Sequence, residues 1–349
     1  MRDEWEKRTM VKYIIMATRN VRTMMQPGKM QEIANEMIKN KIDILALQEI
    51  RWEGQGRIDK QAYTIIYSGS ENRTGQLGTG FMITKLMRAS LLEFEEVNDR
   101  ICRIRLKGRY RNIMIITTHA PIEEKEEYEK EEFYDRLEEI CNKVQKYIIL
   151  IIMGYFNAKI GKEQHLMKVA GKYTIHNETS ENGNLLAQFA TRNRLFINST
   201  SFQHKKIHMR TWKIPGTSEV NQIDHVLVSL RHSSSVIDVR SCRGPNCDSD
   251  HNLIRVKVRE RITKLQKVSR MDRKKWDVEK LSNDPGNQTR KEYQQTLQTK
   301  LRKGNKGQEE EDGELDVDEQ WKKIEQAIKE AAEETNTRTK TNERRKLVR

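Results

Sequence analysis

Short apolar runs recur between residues 11 and 260, separated by polar segments that often contain glycine. From Ile101 to Leu106, polar and apolar residues alternate with the period of a strand that has one solvated face. Ten runs of this kind predict β-strands. They are Lys12–Thr18, Ile42–Gln48, Tyr63–Tyr67, Gly80–Thr84, Ile101–Leu106, Asn112–Thr118, Tyr147–Met153, Ile223–Val228, Ile237–Arg240 and Leu253–Val258.

Three other stretches have apolar residues three and four positions apart, which is the spacing of an amphipathic helix. Their apolar faces consist of Met30, Ile33, Ala34, Met37 and Ile38, of Phe133, Leu137, Ile140 and Val144, and of Leu185, Leu186, Phe189 and Ala190. So many strands with so few helices do not fit a regular βαβ alternation. The pattern predicts an α/β (α+β) fold in which mixed sheets pack face to face with helices outside.

The pattern changes after residue 260. Residues 261–312 are polar and end in an acidic cluster, and the chain closes on the basic run Arg344-Arg345-Lys346. One amphipathic helix is predicted between them from the spacing of Trp321, Ile324, Ile328 and Ala331. The low hydrophobicity indicates an appendage that is partly disordered in isolation. We therefore divide the chain into an N-terminal tail (1–10), one domain (11–260) and a charged, linker-like appendage (261–349).

Charge narrows the class of partner. The chain of 349 residues carries a net charge of +14, and 33% of its residues are charged. Such an excess of Lys and Arg favours a polyanion such as nucleic acid, because neutralising phosphates releases condensed counterions. A soluble surface with surplus lysine remains an alternative. We expect the appendage to add electrostatic affinity for DNA without base specificity.

Cysteine usage and hydropathy bear on the compartment. The four cysteines contain no CxxC pair and no nearby histidine group, so we expect neither a disulfide framework nor a zinc site, and a reducing environment. The first residues lack the apolar stretch of a signal peptide. The apolar run from Ile148 to Met153 is too short to span a bilayer. We expect an intracellular protein without a membrane partner.

Polar side chains stand directly after several predicted strands, where ligands collect in open α/β sheets. They are Asn20, Glu49, His119 and Asn157, and two later motifs, Asp224-His225 and Asp250-His251, extend the set. Each has an ordinary explanation by itself, since an asparagine after a strand is most often a turn or cap residue. Their order along the chain predicts that they share one cleft.

The residue types suit phosphodiester cleavage, which needs charge stabilisation on the phosphate and an activated water. Glu49 and Asp250 offer hard oxygen ligands for Mg²⁺, with Mn²⁺ as an alternative ion. The neutral amides of Asn20 and Asn157 can bind a nucleophile or a phosphate oxygen without adding charge. The set therefore predicts a metal-assisted site for a phosphodiester.

In this order the motifs resemble the endonuclease/exonuclease/phosphatase superfamily. They are most similar to the apurinic-type endonuclease domain of RTE-like non-LTR retrotransposons and to the craniofacial development protein 2-like group, over about residues 11–260. The matching stretches are Asn20–Thr23, Leu47–Trp52, Gly78–Phe81, Thr118–Pro121, Gly154–Gly161, Thr211–Lys213, Asn221–His225 and Ser249–His251.

This resemblance implies a four-layer sandwich of two mixed β-sheets flanked by helices. It also implies a Mg²⁺-dependent endonuclease whose partner is DNA, which it nicks, and residence in the nucleus. Glu49 would be the principal metal ligand, with Asp250 beside it.

The resemblance also implies roles for the other polar residues. Asp224 would orient His251, which contacts the scissile phosphate. His119 falls where other branches carry a phosphate-binding tyrosine, and a histidine can make the same contact. Asn20 and Asn157 would position phosphate or water.

Two positions depart from the family pattern. Tyr155 stands where the family has an aspartate thought to align or deprotonate the attacking water. A tyrosine with an ordinary pKa near 10 is a poor base at neutral pH, and losing a general base commonly costs about 10²–10⁴ in rate. Arg19 replaces a tryptophan, but strand alternation points its side chain away from that of Asn20, so packing should suffer rather than chemistry.

Three hypotheses follow. The first is a DNA endonuclease whose catalysis is impaired by Tyr155. The second is a non-catalytic descendant that binds nucleic acid or protein. The third is another branch of the superfamily, such as a phosphoinositide phosphatase or a lipid phosphodiesterase, which the basic charge and the missing signal peptide disfavour.

Overall fold

The computed structural model divides into two compact units, Met1–Ile262 and Thr263–Arg349. The predicted N-terminal tail, the basic C-terminal run and Cys247 lie outside the described residues. Nowhere in the described ranges is there a helix long and apolar enough to cross a membrane. Those ranges are 13–70, 76–242, 248–259, 288–305 and 317–335.

The described part of the first unit contains fifteen strands. In chain order they are Ile14–Asn20 (β1), Ile44–Gln48 (β2), Gln55–Asp59 (β3), Tyr63–Ser68 (β4), Thr79–Thr84 (β5), Leu91–Glu96 (β6), Ile101–Leu106 (β7), Ile113–His119 (β8), Ile149–Tyr155 (β9), Leu195–Ile197 (β10), Trp212–Lys213 (β11), Val220–Asn221 (β12), Asp224–Ser229 (β13), Val236–Cys242 (β14) and Leu253–Val258 (β15).

The strands form two large mixed sheets and one small hairpin. The first sheet has the order β14-β15-β1-β2-β5-β4-β3, and the second has the order β10-β13-β9-β8-β7-β6. In each large sheet one central pair is parallel, β1 with β2 and β8 with β9, and the other pairs are antiparallel. Strands β11 and β12 pair with each other, and Trp212 of β11 also forms an isolated bridge with His251.

Helix Lys29–Lys39 (α1) covers the outer face of the first sheet. The short helix Lys85–Arg88 (α2) packs Met87 against the core between the sheets. Helices Glu127–Lys143 (α3) and Glu181–Arg192 (α4) cover the outer face of the second sheet. One apolar core fills the space between the sheets. A second core joins α1 to the outer face of the first sheet, and a third joins α3 and α4 to the second. The predicted four-layer sandwich is confirmed.

All ten predicted strands are present with bounds that shift by at most two residues, and each predicted helical face lies on an observed helix. The pattern missed β3, β6 and the three short strands. Strands β3 and β6 are sheet edges with many exposed polar side chains, so they lack an apolar run. Arg19 is buried, with 4% of its surface exposed.

The second unit contains two helices in its described residues, Gln288–Asn305 (α5) and Val317–Glu334 (α6). The predicted amphipathic helix lies on α6, and α5 is a second helix that the sequence pattern did not predict. Helix α5 is mostly polar, with one weak apolar stripe. Small apolar residues of α6, including Ala331, are buried. Lys300 of α5 forms ion pairs with Glu330 and Glu334 at 3.0 and 2.7 Å.

Candidate active site

The predicted polar residues lie at one end of the two large sheets. His119 ends β8 and Tyr155 ends β9, and the two are register partners across these parallel strands. Tyr155 is also the antiparallel partner of Asp224, the first residue of β13. Asn20 ends β1 of the other sheet. A hydrogen bond of 2.8 Å from Gln48 of β2 to Thr117 of β8 bridges the sheets just below this end.

Several backbone turns at this end have left-handed conformations. Such conformations are uncommon for residues other than glycine, and they concentrate at functional sites. Five of the residues that adopt them belong to the predicted polar set or flank it. They are Arg22, Glu49, Arg51, Asn157 and Asp248, with φ angles of 59°, 55°, 64°, 52° and 45°.

Glu49 is held by polar neighbours. The side-chain amide of Asn20 donates to Oε1 of Glu49 at 2.6 Å, and the guanidinium of Arg51 donates to Oε2 at 3.3 Å. Nε2 of His119 lies 4.0 Å from Oε1. Asn20 therefore orients the carboxylate of Glu49 directly, a contact that the sequence did not indicate.

Asp224 and His251 form a buried pair. Nδ1 of His251 lies 3.0 Å from Oδ2 of Asp224, and both side chains are almost fully excluded from solvent. Burial alone would lower the pKa of His251. The negative charge and hydrogen bond of Asp224 outweigh burial, with Asp250 and Glu49 adding to the effect, so the pKa of His251 lies above its ordinary value. The ring is therefore stabilised in its charged form.

The two carboxylate oxygens of Asp250 differ in their hydrogen bonding. The indole Nε1 of Trp212 donates to Oδ2 at 3.0 Å. Oδ1 is buried and has no hydrogen-bond partner among the described residues, and Nε of Arg22 lies 3.8 Å from it. A buried carboxylate oxygen in this state is suited to accept a cation.

Glu49 and Asp250 are the residues that can hold a metal. Across the described ranges, no group of three or more His, Cys, Asp or Glu side chains is arranged around a common point. Mg²⁺ usually keeps several waters and takes one or two carboxylates from the protein, so two carboxylates are a sufficient donor set. The residues present fit a hard divalent ion.

Tyr155 lies between two imidazole rings. Its ring centroid is 5.3 Å from that of His119 and 4.6 Å from that of His251. Burial raises the pKa of Tyr155 far above its ordinary value, and the charges of Asp224, Glu49 and Asp250 raise it further. The phenol therefore keeps its proton and cannot serve as a base at neutral pH.

His119 is also a weak base in this structure. Burial, together with the nearby cations Arg100, His251 and Arg51, lowers its pKa to about 3. Its Nδ1 is buried without a hydrogen-bond partner among the described residues. The ring is therefore neutral, in contrast to that of His251.

Asn157 is fixed in the loop after β9. Its side-chain amide donates to the carbonyl of Ala120 at 3.0 Å. The buried side chain of Asn182, at the start of α4, donates to the carbonyls of Asn157 and Pro121 at 3.3 and 3.1 Å. Asn182 thereby holds together the loops after β8 and β9. Sequence reasoning missed this residue, because no motif connects it to either loop.

Two relatives and several solved structures resemble the chain. No protein-family model matches it. Craniofacial development protein 2 of Bos taurus is 31% identical over 268 residues, which are 77% of this chain and 45% of that protein. Craniofacial development protein 2 of Tragulus javanicus is 31% identical over 268 residues, which are 77% of this chain and 46% of that protein. The chain thus spans less than half the length of these relatives.

The solved structures confirm the fold class. The endonuclease domain of TRAS1, a telomere-specific non-LTR retrotransposon, matches with a TM-score of 0.51 and 14% identity, over 71% of this chain and 98% of that domain. The AP endonuclease LMAP of Leishmania major matches with a TM-score of 0.54 and 14% identity, over 72% and 89%. An AP endonuclease of Archaeoglobus fulgidus matches with a TM-score of 0.53 and 17% identity, over 71% and 100%.

Proposed function

This chain is a homologue of craniofacial development protein 2 and has the fold of the endonuclease/exonuclease/phosphatase superfamily. From this premise we propose that it is a Mg²⁺-dependent phosphodiesterase of the DNA endonuclease type, acting in the nucleus, whose hydrolytic step is slow. The observation that carries the proposal is the buried Asp224–His251 pair beside two carboxylates, with Tyr155 in place of a base.

Glu49 and Asp250 would hold the ion. A divalent ion at this position supplies charge stabilisation for the phosphate. Asn20 fixes the rotamer of Glu49 through the 2.6 Å hydrogen bond, and Arg51 neutralises part of its charge. The exposed guanidinium of Arg22, close to Asp250, adds a cation that an incoming phosphate can meet. These residues bind and orient the substrate.

His251 would donate a hydrogen bond to the scissile phosphate. Asp224 occupies Nδ1 and stabilises the charged ring, so the opposite nitrogen is the donor. Donors that are fixed before the reaction stabilise developing charge without reorganisation. The charged, buried and oriented imidazole is therefore suited to the transition state of phosphodiester cleavage.

Activation of the attacking water is the step that this chain performs poorly. Tyr155 keeps its proton, and neutral His119 has a pKa of only about 3, so neither group removes a proton effectively near pH 7. Loss of a general base commonly costs about 10²–10⁴ in rate. The chain would therefore hold a phosphodiester far better than it cleaves it.

A second candidate is a nucleic-acid-binding protein that does not cleave. The same burial of Tyr155 favours it, because the phenol ring, with only 9% of its surface exposed, fills space beside His251. The net charge of +14 supports binding of a polyanion in either case. The two candidates differ only in whether any Mg²⁺-dependent nicking remains.

A plasmid-nicking assay with Mg²⁺ or EDTA tests the proposal. The wild-type chain should bind supercoiled DNA and nick it slowly. Tyr155→Asp should raise the Mg²⁺-dependent rate at least about tenfold, a conservative share of a general-base effect. Tyr128→Asp is the matched control, because Tyr128 is 66% exposed on α3 and its replacement should leave the rate unchanged.

Three results would decide against part or all of the proposal. Rapid nicking by the wild type, with no gain from Tyr155→Asp, would show that another group activates water. Duplex binding without nicking by either protein would favour the non-cleaving candidate. Absence of both binding and nicking would reject a nucleic-acid substrate altogether.

A further inference from the structure

The segment Thr211–Lys213 is hydrogen-bonded to the two motifs that contain Asp224 and Asp250. Oγ1 of Thr211 accepts hydrogen bonds from the backbone nitrogens of Ile223 and Asp224 at 3.0 and 3.1 Å. The backbone nitrogen of Lys213 donates to the carbonyl of Asp250 at 3.2 Å. The segment therefore fixes the main chain at the two positions that supply carboxylates to the cleft.

Trp212, between these two residues, adds a side-chain contact. Its indole nitrogen donates to Oδ2 of Asp250 at 3.0 Å. Indole is a donor only, so this nitrogen cannot compete for a cation. Trp212 also forms a backbone bridge with His251, and their ring centroids lie 6.1 Å apart. The rotamer of Asp250 thus depends on a rigid ring that is anchored to the neighbouring residue.

We propose that Trp212 is a positioning residue that holds Oδ2 of Asp250 and thereby presents Oδ1 to the divalent ion. This oxygen is buried and has no hydrogen-bond partner among the described residues. The inference rests on the proposed function, because it takes Asp250 to be a metal ligand. Without the indole N–H, both oxygens of Asp250 lack a hydrogen-bond donor among the described residues, and the 3.8 Å ion pair of Oδ1 with Arg22 is the weaker restraint that remains. Trp212 acts through Asp250 and makes no contact with the phosphate.

The expected effect is on metal affinity. Partners that orient a metal ligand typically contribute about 10–100-fold to affinity. Trp212→Phe keeps a ring in place and removes only the donor. We expect this variant to weaken Mn²⁺ binding at least about tenfold, within that range, with little loss of stability.

The chain offers a matched control. Nε1 of Trp52 donates to the carbonyl of Met24 at 3.1 Å, so Trp52→Phe also removes one indole hydrogen bond, but to a backbone oxygen. Isothermal titration with Mn²⁺ is carried out on the wild type, Trp212→Phe, Trp52→Phe and Asp250→Asn. Thermal unfolding of each protein without metal measures the structural cost. We expect weaker binding for Trp212→Phe and Asp250→Asn, and wild-type affinity for Trp52→Phe.

A second measurement does not depend on metal binding. The indole N–H resonance of Trp212 in a ¹⁵N-correlated NMR spectrum, assigned from its absence in Trp212→Phe, should move upfield in Asp250→Asn, since a neutral amide accepts a weaker hydrogen bond than a carboxylate. The indole resonance of Trp52 should not move in that variant. The spectrum also shows whether each variant is folded.

The outcomes separate the inference from the proposed function. If Asp250→Asn weakens Mn²⁺ binding and Trp212→Phe does not, the positioning role is wrong while the metal site stands. If the wild type binds no Mn²⁺, or Asp250→Asn binds as tightly as the wild type, the metal assignment fails and the positioning role fails with it. An unmoved Trp212 indole resonance in Asp250→Asn overturns the hydrogen bond itself.

Discussion

The two sides of the cleft differ in how their buried groups are partnered. On the anchoring side, formed by Asp224, Asp250 and His251, each side chain has a hydrogen-bond partner inside the site. On the altered side, formed by His119 and Tyr155, the rings contact each other at 5.3 Å, and Nδ1 of His119 has no hydrogen-bond partner in the described part of the chain. The two histidines are buried to a similar degree, with 4% of His251 and 6% of His119 exposed.

This difference shows that burial alone does not set the charge of a histidine. His251 and His119 are both nearly inaccessible, yet the pKa of His251 is raised and that of His119 is lowered. Burial disfavours the charged ring in both cases, and the adjoining carboxylate of Asp224, with smaller contributions from Asp250 and Glu49, reverses the outcome for His251. On the proposed function, the site would keep the groups that hold a phosphate and would lack an effective group to activate water.

The largest effect on the nicking rate should come from removing the His251 donor on the anchoring side. In the faster Tyr155→Asp background, His251→Gln should lower Mg²⁺-dependent nicking by about 10²–10³-fold, the usual cost of losing one fixed donor to a developing charge. Duplex affinity, measured separately, should change much less.

His204→Gln is the control for this change. His204 forms another His–Asp pair, with Asp238 at 2.9 Å, and it is not among the predicted site residues. Its replacement should leave the nicking rate of the Tyr155→Asp background unchanged. Equal losses for His204→Gln and His251→Gln would show that the effect is structural and would remove the distinction between the two sides.

A smaller effect should come from removing the principal metal ligand. Tyr155→Asp with Glu49→Ala should lose the whole gain of Tyr155→Asp, at least about tenfold, because a new base is of no use without charge stabilisation of the phosphate. Initial nicking rates over a range of Mg²⁺ concentrations measure this. Glu132→Ala, an exposed position on α3, should retain the gain. A double variant as fast as Tyr155→Asp would contradict the assignment of Glu49.

The smallest effect should appear in the pH dependence of stability without metal. The folded pKa of His119 is about 3, against an ordinary value of 6.5, so the unfolded chain binds more protons between these values. The contribution of His119 to stability is present above about pH 6.5 and is lost as the pH falls towards 3. The pKa of His251 is raised, so its contribution is present below about pH 6.5 and is lost as the pH rises through the folded pKa.

Urea unfolding from about pH 4 to 9 measures these contributions. His119→Gln should flatten the acidic part of the profile of unfolding free energy, and His251→Gln should flatten the part above pH 6.5. If both variants change the pH slope of the unfolding free energy in the same direction, the two histidines have similar environments. The contrast between the two sides would then fail.

The polar residues at the strand ends could be predicted, because each one follows an apolar run in the sequence. The order of these residues along the chain, Asn20, Glu49, His119 and Asn157, was enough to indicate a cleft. The pKa difference between His119 and His251 could not be predicted, since it depends on which carboxylate lies next to which ring. The hydrogen bond between Trp212 and Asp250 joins residues 38 positions apart, and no spacing rule reveals such a contact. Helix α5 was missed because its apolar stripe consists of only Tyr293, Leu297 and Leu301 in a strongly polar sequence.

The Asp224–His251 hydrogen bond has a consequence for how the protein folds. Asp224 begins a strand of the second sheet, and His251 precedes β15 of the first. Neither sheet by itself contains the complete pair, so the pair forms only once the sheets have docked. Residues such as Ile151 and Val256, in the core between the sheets, therefore set the alignment of the pair from a distance. A substitution there that shifts one sheet against the other would separate Asp224 from His251 while each sheet kept its own hydrogen bonds.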